Sequence, residues 1–387
     1  MDEPRKVALL IETSNSYARG ILHGIIGYVR EHHPWSLSLS EFSRGASPPA
    51  WLRRWNGHGV IARIENKILA RAMAGFRVPV VDLSSARKMA SPPWIKTNDI
   101  TIARFAFEHL SERGFKSFGY CGDDGFKWSI ERSKQFENLC RQAGRSCSLY
   151  RPLARRITDM EAEIENIAKW VDKLSKPVGI MASYDFRGRQ VLAACQRRGV
   201  VVPDEAAVIG VDNDELLCDL SDPSLSSVIP DTYRTGYEAA ALLDRMMNGE
   251  VVAPKAHLID PLGVATRQST DTLAIEDKRI VAVVRYIRER ACEGIGVKDI
   301  LHAMPQSRRL LESRFKKLIG RTVHDEITRV QINRVKLLLT ESSLSLEEIA
   351  ERTGFAHVEY LSVVFHKKVG QPPGRYRALN RRPSPAR

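Results

Sequence analysis

Residues Ser345 to Arg377 read SLEEIAERTGFAHVEYLSVVFHKKVGQPPGRYR. The order of caps, apolar positions and breakers along this stretch predicts two short helices around a tight turn. Ser345-Leu346-Glu347-Glu348 has the form of a capping box: a Ser oxygen for orphan N–H groups and a Glu three residues on. Leu346, Ile349 and Ala350 share one helical face, which ends at Gly354, a residue free to take the positive φ of a tight turn. A second helix turns Leu361, Val364 and Phe365 inward and carries Lys367 and Lys368 in its last turn. Gly370 and Pro372-Pro373 stop it. Helices joined in this way form a helix-turn-helix, whose second helix enters the DNA major groove. The same pattern fits an ordinary helical hairpin inside a globular domain, so the decision passes to charge.

Lys278 to Arg387 carries 23 Lys+Arg against 11 Asp+Glu, while the whole chain has 59 and 46. The preceding residues are therefore close to neutral, and nearly all the basic excess sits on one small segment. A neutral body with a basic appendage points to a polyanion partner.

A second, looser unit lies upstream. Val297 to Leu301 opens a short helix and Ala303 to Gln306 turn. Ser307 can cap the helix RRLLESRFKKLIG, with an apolar stripe of Leu310, Leu311, Phe315, Leu318 and Ile319. Thr322 starts a long connecting helix with Ile327, Val330, Val335 and Leu338 at near-helical spacing. Two reading helices on one rigid connector can occupy successive major grooves.

On these residues the segment 280–378 resembles the AraC/XylS family of transcription regulators. The resemblance lies in LEEIAERTGF, the Tyr360…Phe365…Lys367 run, Gly370…Pro373…Tyr376-Arg377, and SRRLLESRFKKLIG in the first unit. The departures are Leu361 for the family's usual Phe, His366 for Lys, Val335 for Ala, and Pro305 where the first turn usually has Gly. Base-reading positions are expected at Arg308, Arg309, Glu312 and Ser313 in the first unit, where Arg can grip guanine and Glu can accept from a cytosine amine. In the second they are Val358, Glu359, Ser362 and Val363, the last offering only apolar contact. Lys367, Lys368 and Arg377 are expected on phosphates. For Glu312 and Glu359 a solvated helix face or an intrahelical pair is an equal alternative.

The rest of the chain is long enough for a sizeable core. No run approaches the length of a membrane helix, and the start MDEPRKVALLIETSNSY does not read as a signal peptide. Six cysteines without CxxC spacing read as reduced thiols of a cytoplasmic protein, with no metal site and no cofactor expected. From Val7 to Gln268, apolar strands at 7–12, 35–40, 59–64, 78–83, 117–122, 178–183 and 206–211 alternate with amphipathic segments near 18–31, 66–75, 100–113, 128–143, 160–174, 187–198 and 233–247. Such alternation implies parallel sheets covered by helices, here in two lobes with a cleft between them.

Ligands in these sheets bind beyond the carboxyl ends of the strands. Ser14, Asn15 and Tyr17 collect there, as do Asp82, Asp123, Asp124, Asp185, Asp212, Asn213 and Asp214. Acids, amides and an arginine such as Arg132 suit a polyhydroxylated ligand, and Tyr17, Phe126 or Trp128 can cover its apolar face. Taken singly, each Asp or Asn could merely cap the next helix.

This part resembles the periplasmic-binding-protein-like effector domains of LacI-type regulators. The matching pieces are TNDITIARFAFEHLSERG, WSIERSKQF, YDFRGRQVLAACQRRGVVVPDEAAVIGVDNDE and LSSVIPDTYRTGYEAAALL. By position the resemblance implies effector contacts at Asp99, Arg132, Asp185 and Asp212, with Trp128 at the cleft wall; Tyr17 and Asn213 join them from the strand-end reading. The departures are Tyr184 for a common Asn, and Asn98-Asp99 for the commoner Asp-Asn.

The expected architecture is an α/β two-lobed periplasmic-binding-protein-like domain (1–268), a linker (269–279), an all-α domain with two helix-turn-helix units (280–378, units near 297–318 and 345–368), and a basic tail (379–387). The two resemblances together imply a sequence-specific DNA-binding transcription regulator controlled by a small, xylose-like sugar in the interlobe cleft, with activation of sugar-catabolism genes the expected outcome. Expected partners are double-stranded promoter DNA, the sugar, a second copy in a homodimer, and RNA polymerase, with no membrane. Two other readings compete: a sugar- or nucleotide-acting enzyme fused to a DNA anchor, and an architectural DNA binder without an effector. No GxGxxG after a strand, Walker-type loop, HExxH or GxSxG is present, leaving Asp123-Asp124 as the one acid pair for catalysis.

Overall fold

Val7 to Ile11 are five consecutive apolar residues, all 3% exposed or less. A strand apolar on both faces belongs inside a parallel sheet covered on both sides, and this strand sits within one. The computed structural model describes residues 3–32, 34–40, 48–152, 159–272, 277–342 and 344–380. It divides into two compact units, Met1–Ala274 and Ile275–Arg387.

The first unit contains two sheets. In chain order, β1 (Arg5–Leu10), α1 (Ser16–Glu31), β2 (Trp35–Leu39), β3 (Gly59–Ala62), α2 (Lys67–Ala74), β4 (Val80–Asp82) and β5 (Trp94–Thr97) begin the first lobe. The second lobe follows with α3 (Asp99–Ser111), β6 (Ser117–Cys121), α4 (Lys127–Gln142), β7 (Ser146–Tyr150) and α5 (Met160–Asp172). It continues through β8 (Val178–Ala182), α6 (Asp185–Arg197), β9 (Ala206–Val211), α7 (Glu215–Asp219) and β10 (Ser226–Ile229). Then α8 (Thr232–Met247) and β11 (Ala256–Ile259) return to the first lobe, and β12 (Gly263–Ala265) ends in the second. The strand orders are β11-β5-β4-β3-β1-β2 and β12-β10-β9-β8-β6-β7. Among the described residues, only β12 runs antiparallel, against β10.

The chain thus passes between the lobes three times: at Asn98-Asp99, at Pro230-Asp231 and at 260–262. Two of these passages are tied together, since Asn98 and Thr101 both donate to Asp260 at 2.9 Å. Each sheet buries an apolar cluster on either face. Helices α1 and α8 close so tightly on the first sheet that a Cβ at Gly24 would lie 2.0 Å from the Tyr233 carbonyl, and one at Gly236 1.9 Å from that of Ile21. Here glycine is required by the approach of two backbones.

The second unit is helical: α9 (Lys278–Arg290), α10 (Val297–Ala303), α11 (Arg308–Ile319), α12 (Val323–Glu341), α13 (Leu346–Arg352), α14 (Val358–Val369) and α15 (Pro373–Asn380). Ser345 and Glu348 form the expected capping box, at 3.1 and 2.7 Å. Gly354 has φ 75° and Gly370 φ 82°, the left-handed geometry their positions call for. The stripe expected on α11 is narrower than the pattern suggested. Leu311, Phe315 and Ile319 are buried, but Leu310 and Leu318 are 40% and 39% exposed. Gln331 on the connector α12 donates to the carbonyls of Ala291 and Gly354 at 3.1 and 3.3 Å, fixing the turn after α9 against the turn before α14. Of the linker expected at 269–279, residues 273–276 lie outside the described residues, as does the tail from 381 on. No helix among the described residues is long and apolar enough to cross a membrane.

Candidate functional site

A cavity opens where the carboxyl ends of the two sheets face each other. The first lobe supplies Tyr17 from the start of α1, Arg63 after β3, Leu83 and Ser85 after β4, and Lys96 and Thr97 of β5. The second supplies Asp99 at the start of α3, Trp128 and Arg132 from the first turns of α4, and Asp212 after β9. Parallel strands all release their chains at the same edge, so residues far apart in sequence meet there.

Five residues expected at the ligand share this wall: Tyr17, Asp99, Trp128, Arg132 and Asp212. Arg132 donates from Nε to Asp99 at 2.8 Å and from Nη1 to the Ser183 carbonyl at 2.6 Å, with its guanidinium 4.9 Å from the Trp128 ring centre. Tyr17 shares a hydrogen bond with Thr97 at 3.3 Å. Burial works against the charge of Lys96 and Arg132, yet Asp99 and its neighbours hold both pKa values above the ordinary range, so both remain cations.

Asp185 and Asn213, also expected at the ligand, do not line the cavity. Asp185 is 1% exposed, and its carboxylate is spent on the protein, accepting from Ser227 Oγ at 2.6 Å and from the Asp214 backbone at 2.7 Å. Asn213 accepts from Arg267 at 2.9 Å. Together they brace a strained turn in which Asp212 has φ 106° and Asn213 φ 48°, a conformation that costs of order 1–3 kcal/mol in non-glycine residues. Asp185 thus presents Asp212 to the cavity. Burial, followed by the Asp212 charge, pushes the Asp185 carboxyl well above the usual carboxylate range.

Sequence reasoning missed Arg63, Lys96, Leu83, Ser85 and Thr97. A signal existed for the two cations: each interrupts a short apolar run, in GVIARI and WIKT. Asp82, at the end of β4 beside Leu83, is 1% exposed and accepts from the Ile64 and Ser84 backbones. Burial raises its pKa to about 6. An acid with a raised folded-state pKa binds more protons folded than unfolded, so its contribution to stability falls as pH rises from about 4 to about 6. Asp82→Asn is expected to remove this slope. Urea midpoints of wild type and variant measured from pH 4.5 to 7 will differ most at the upper end, with the variant gaining on the wild type, and parallel curves would refute the assignment.

The second unit presents the residues expected at DNA. On α11, Arg308, Arg309 and Ser313 are exposed and Glu312 is half-buried; on α14, Glu359, Val363, Lys367 and Lys368 are exposed, and Val358 and Ser362 half-buried. Three of them are engaged within the protein. Arg308 donates to Glu312 at 2.9 Å, the intrahelical pair held open as an alternative, and Lys368 reaches Asp325 of α12 at 3.1 Å. Arg377, expected on a phosphate, donates from Nη2 to the Leu344 carbonyl at 2.6 Å and so ties α15 to the segment just before α13.

Known proteins resemble the chain along its whole length. A xylose regulator N-terminal domain family matches residues 6–98, a periplasmic binding protein-like domain family 107–270, and a helix-turn-helix domain family 301–379. The xylose operon regulatory protein of Escherichia coli K12 is 31% identical over 383 residues, 97% of each chain. That of Haemophilus influenzae is 32% identical over 381 residues, 96% of this chain and 98% of its own. A solved structure of a xylose-binding transcription activator superposes with a TM-score of 0.77 at 31% identity, covering 98% of this chain and 99% of that one. A LacI-type regulator from Alkaliphilus metalliredigens, solved with D-xylulofuranose, shares the fold of the first unit at 21% identity, with a TM-score of 0.57 over 69% of this chain and all of that one.

Proposed function

Since the chain belongs to the family of xylose operon regulatory proteins, we propose that it is a cytoplasmic, sugar-responsive transcription activator whose effector occupies the cavity between the lobes of its first unit. One observation carries this reading: a single chain joins a two-lobed unit with a polar cavity at its hinge to a basic unit with two helix-turn-helix elements. The effector meets Tyr17, Asp99, Trp128, Arg132 and Asp212, while Asp185 and Asn213 brace the turn that carries Asp212. It is a small sugar of the xylose class, and it biases the lobes by binding one arrangement better than another. The change passes through the segment 269–279 to a homodimer's reading helices, and the DNA-bound dimer engages RNA polymerase.

On the DNA side, α11 and α14 occupy successive major grooves, with Arg309 on a base, Val363 on an apolar base edge, and Lys367 and Lys368 on phosphates. Lys368 must leave Asp325 to do so. Footprinting of the full chain on its own promoter region, with and without sugar, tests the proposal. Arg309→Ala is expected to weaken binding and relax base choice at one position by about 1–3 kcal/mol. A footprint identical to wild type would remove Arg309 from the interface, and no sequence preference at moderate salt would remove the function.

A further inference from the structure

Ser269 and Thr270 are fully buried, shortly before the chain leaves the first unit for α9. Buried hydroxyls cost free energy unless they are paired, and these are paired in one directed chain of hydrogen bonds. Ser226 Oγ donates to the Arg267 carbonyl at 3.0 Å and accepts from the Arg267 backbone N–H at 2.7 Å. Thr270 Oγ1 donates to Ser226 Oγ at 2.7 Å. That uses the threonine proton, so His109 Nε2, 2.7 Å from the same oxygen, is the donor there. Burial, then the charge of Arg113, lowers the His109 pKa to about 3, so the ring is neutral and carries its proton on Nε2. Arg113 donates from Nε to the Thr270 carbonyl at 2.7 Å, and Ser269 Oγ to the Val208 carbonyl of β9 at 2.6 Å.

Both edges of this joint lead back to the cavity. His109 stands near the far end of α3, the helix that starts with Asp99 in the cavity wall, about 15 Å away at 1.5 Å per residue. Arg267 donates from Nη1 to Asn213 at 2.9 Å and pairs through Nε with Asp219 at 3.2 Å. Asn213 is half of the strained turn that carries Asp212. These contacts fasten 267–270 to the second lobe. Resting on the reading of the cavity as the effector site, we propose that 267–270 is the joint through which the effector acts on the second unit, with His109 and Arg267 as its positioning residues. Closure turns the second lobe about the passages at 98–99, 230–231 and 260–262, and a fastened joint carries the root of the following segment with it. Helix α3 links Asp99 rigidly to Thr270. Arg267 adds a local connection, because a strained turn has a relaxed arrangement to switch to. Without these bonds the joint slackens and the lobe moves without its linker. Sugar binding and DNA response then come apart, which a merely structural role for His109 would not cause.

The test measures coupling in the full chain. Calorimetry gives D-xylose affinity with and without a duplex from its own promoter region, and duplex affinity is measured with and without D-xylose. Linkage requires the two ratios to agree. In the wild type the ratio is expected to be about tenfold. His109→Leu, which cannot donate, is expected to bring it below about twofold, while D-xylose still binds the DNA-free protein within about threefold of wild type. Arg267→Met is expected to lower it in the same way, and His109→Gln, whose amide can donate in place of Nε2–H, to restore it. Thr270→Val breaks the same bond from the other side and serves if His109→Leu does not fold. A wild-type ratio in His109→Leu or Thr270→Val overturns the inference and leaves the effector site standing. A ratio that His109→Gln fails to restore overturns the hydrogen bond as the coupling element. If D-xylose binds but the wild-type ratio is one, there is no coupling for the joint to carry and the inference is overturned. If D-xylose does not bind, the inference falls together with the effector reading on which it rests.

Discussion

Arg132→Ala is expected to abolish the response to any effector and to destabilise the first unit by about 3 kcal/mol. The side chain is 5% exposed and joins three things at once: Asp99, the Ser183 carbonyl and the face of Trp128. Removing one partner of a buried ion pair costs about 3–5 kcal/mol, because the other charge is left in a poor solvent. The lower end applies here, since Asp99 keeps Lys96 and Ser85. Arg132→Lys is expected to recover part of the stability and none of the response, because an ammonium cannot span Asp99 and Ser183 with a fixed fork. The measurement is simple. All six tryptophans, at 35, 51, 55, 94, 128 and 170, lie in the first unit, so urea unfolding followed by tryptophan fluorescence reports that unit alone. An unchanged midpoint in Arg132→Ala would show that the Asp99 pair contributes nothing net.

The second large effect is expected in the other unit. Phe365 is fully buried, packed among Leu361, Val335, Leu339 and Ile349, with its ring 5.4 Å from that of Tyr376 and nearly perpendicular to it. Truncation of a buried Phe to Ala costs about 3–5 kcal/mol, from lost burial and the cavity left behind. That is a large share of what a small helical unit has to spare. Phe365→Ala should therefore melt α13 to α15, lower the helical signal in circular dichroism and erase half of the footprint. The tryptophan-detected transition serves as the internal reference. A full-length footprint in this variant would mean that α14 does not read DNA.

How much of this was legible beforehand follows from range. The capping box at Ser345, the left-handed glycines at 354 and 370, and the strands at 7–12 and 206–211 are set by residues within a few positions of one another, so they can be read directly. The strands Trp94–Thr97, Ser146–Tyr150, Ser226–Ile229, Ala256–Ile259 and Gly263–Ala265 were missed. They are short, and β7, β11 and β12 are sheet edges. An edge strand need not be apolar on both faces, which weakens its signal.

Sequence alone determined the two architectures, their order along the chain and the confinement of the net positive charge to the basic segment, because local patterning and charge are properties of contiguous residues. Only tertiary structure decided which strand ends face each other. The first sheet takes its outer strand from residues 256–259 and so closes around a cavity assembled from Tyr17, Arg63, Lys96, Arg132 and Asp212. Likewise it decided that Asp185, an acid at a strand end like Asp212, is a buried prop while Asp212 faces the cavity. The two differ in what surrounds them, and surroundings built from distant segments exist only once the chain has folded.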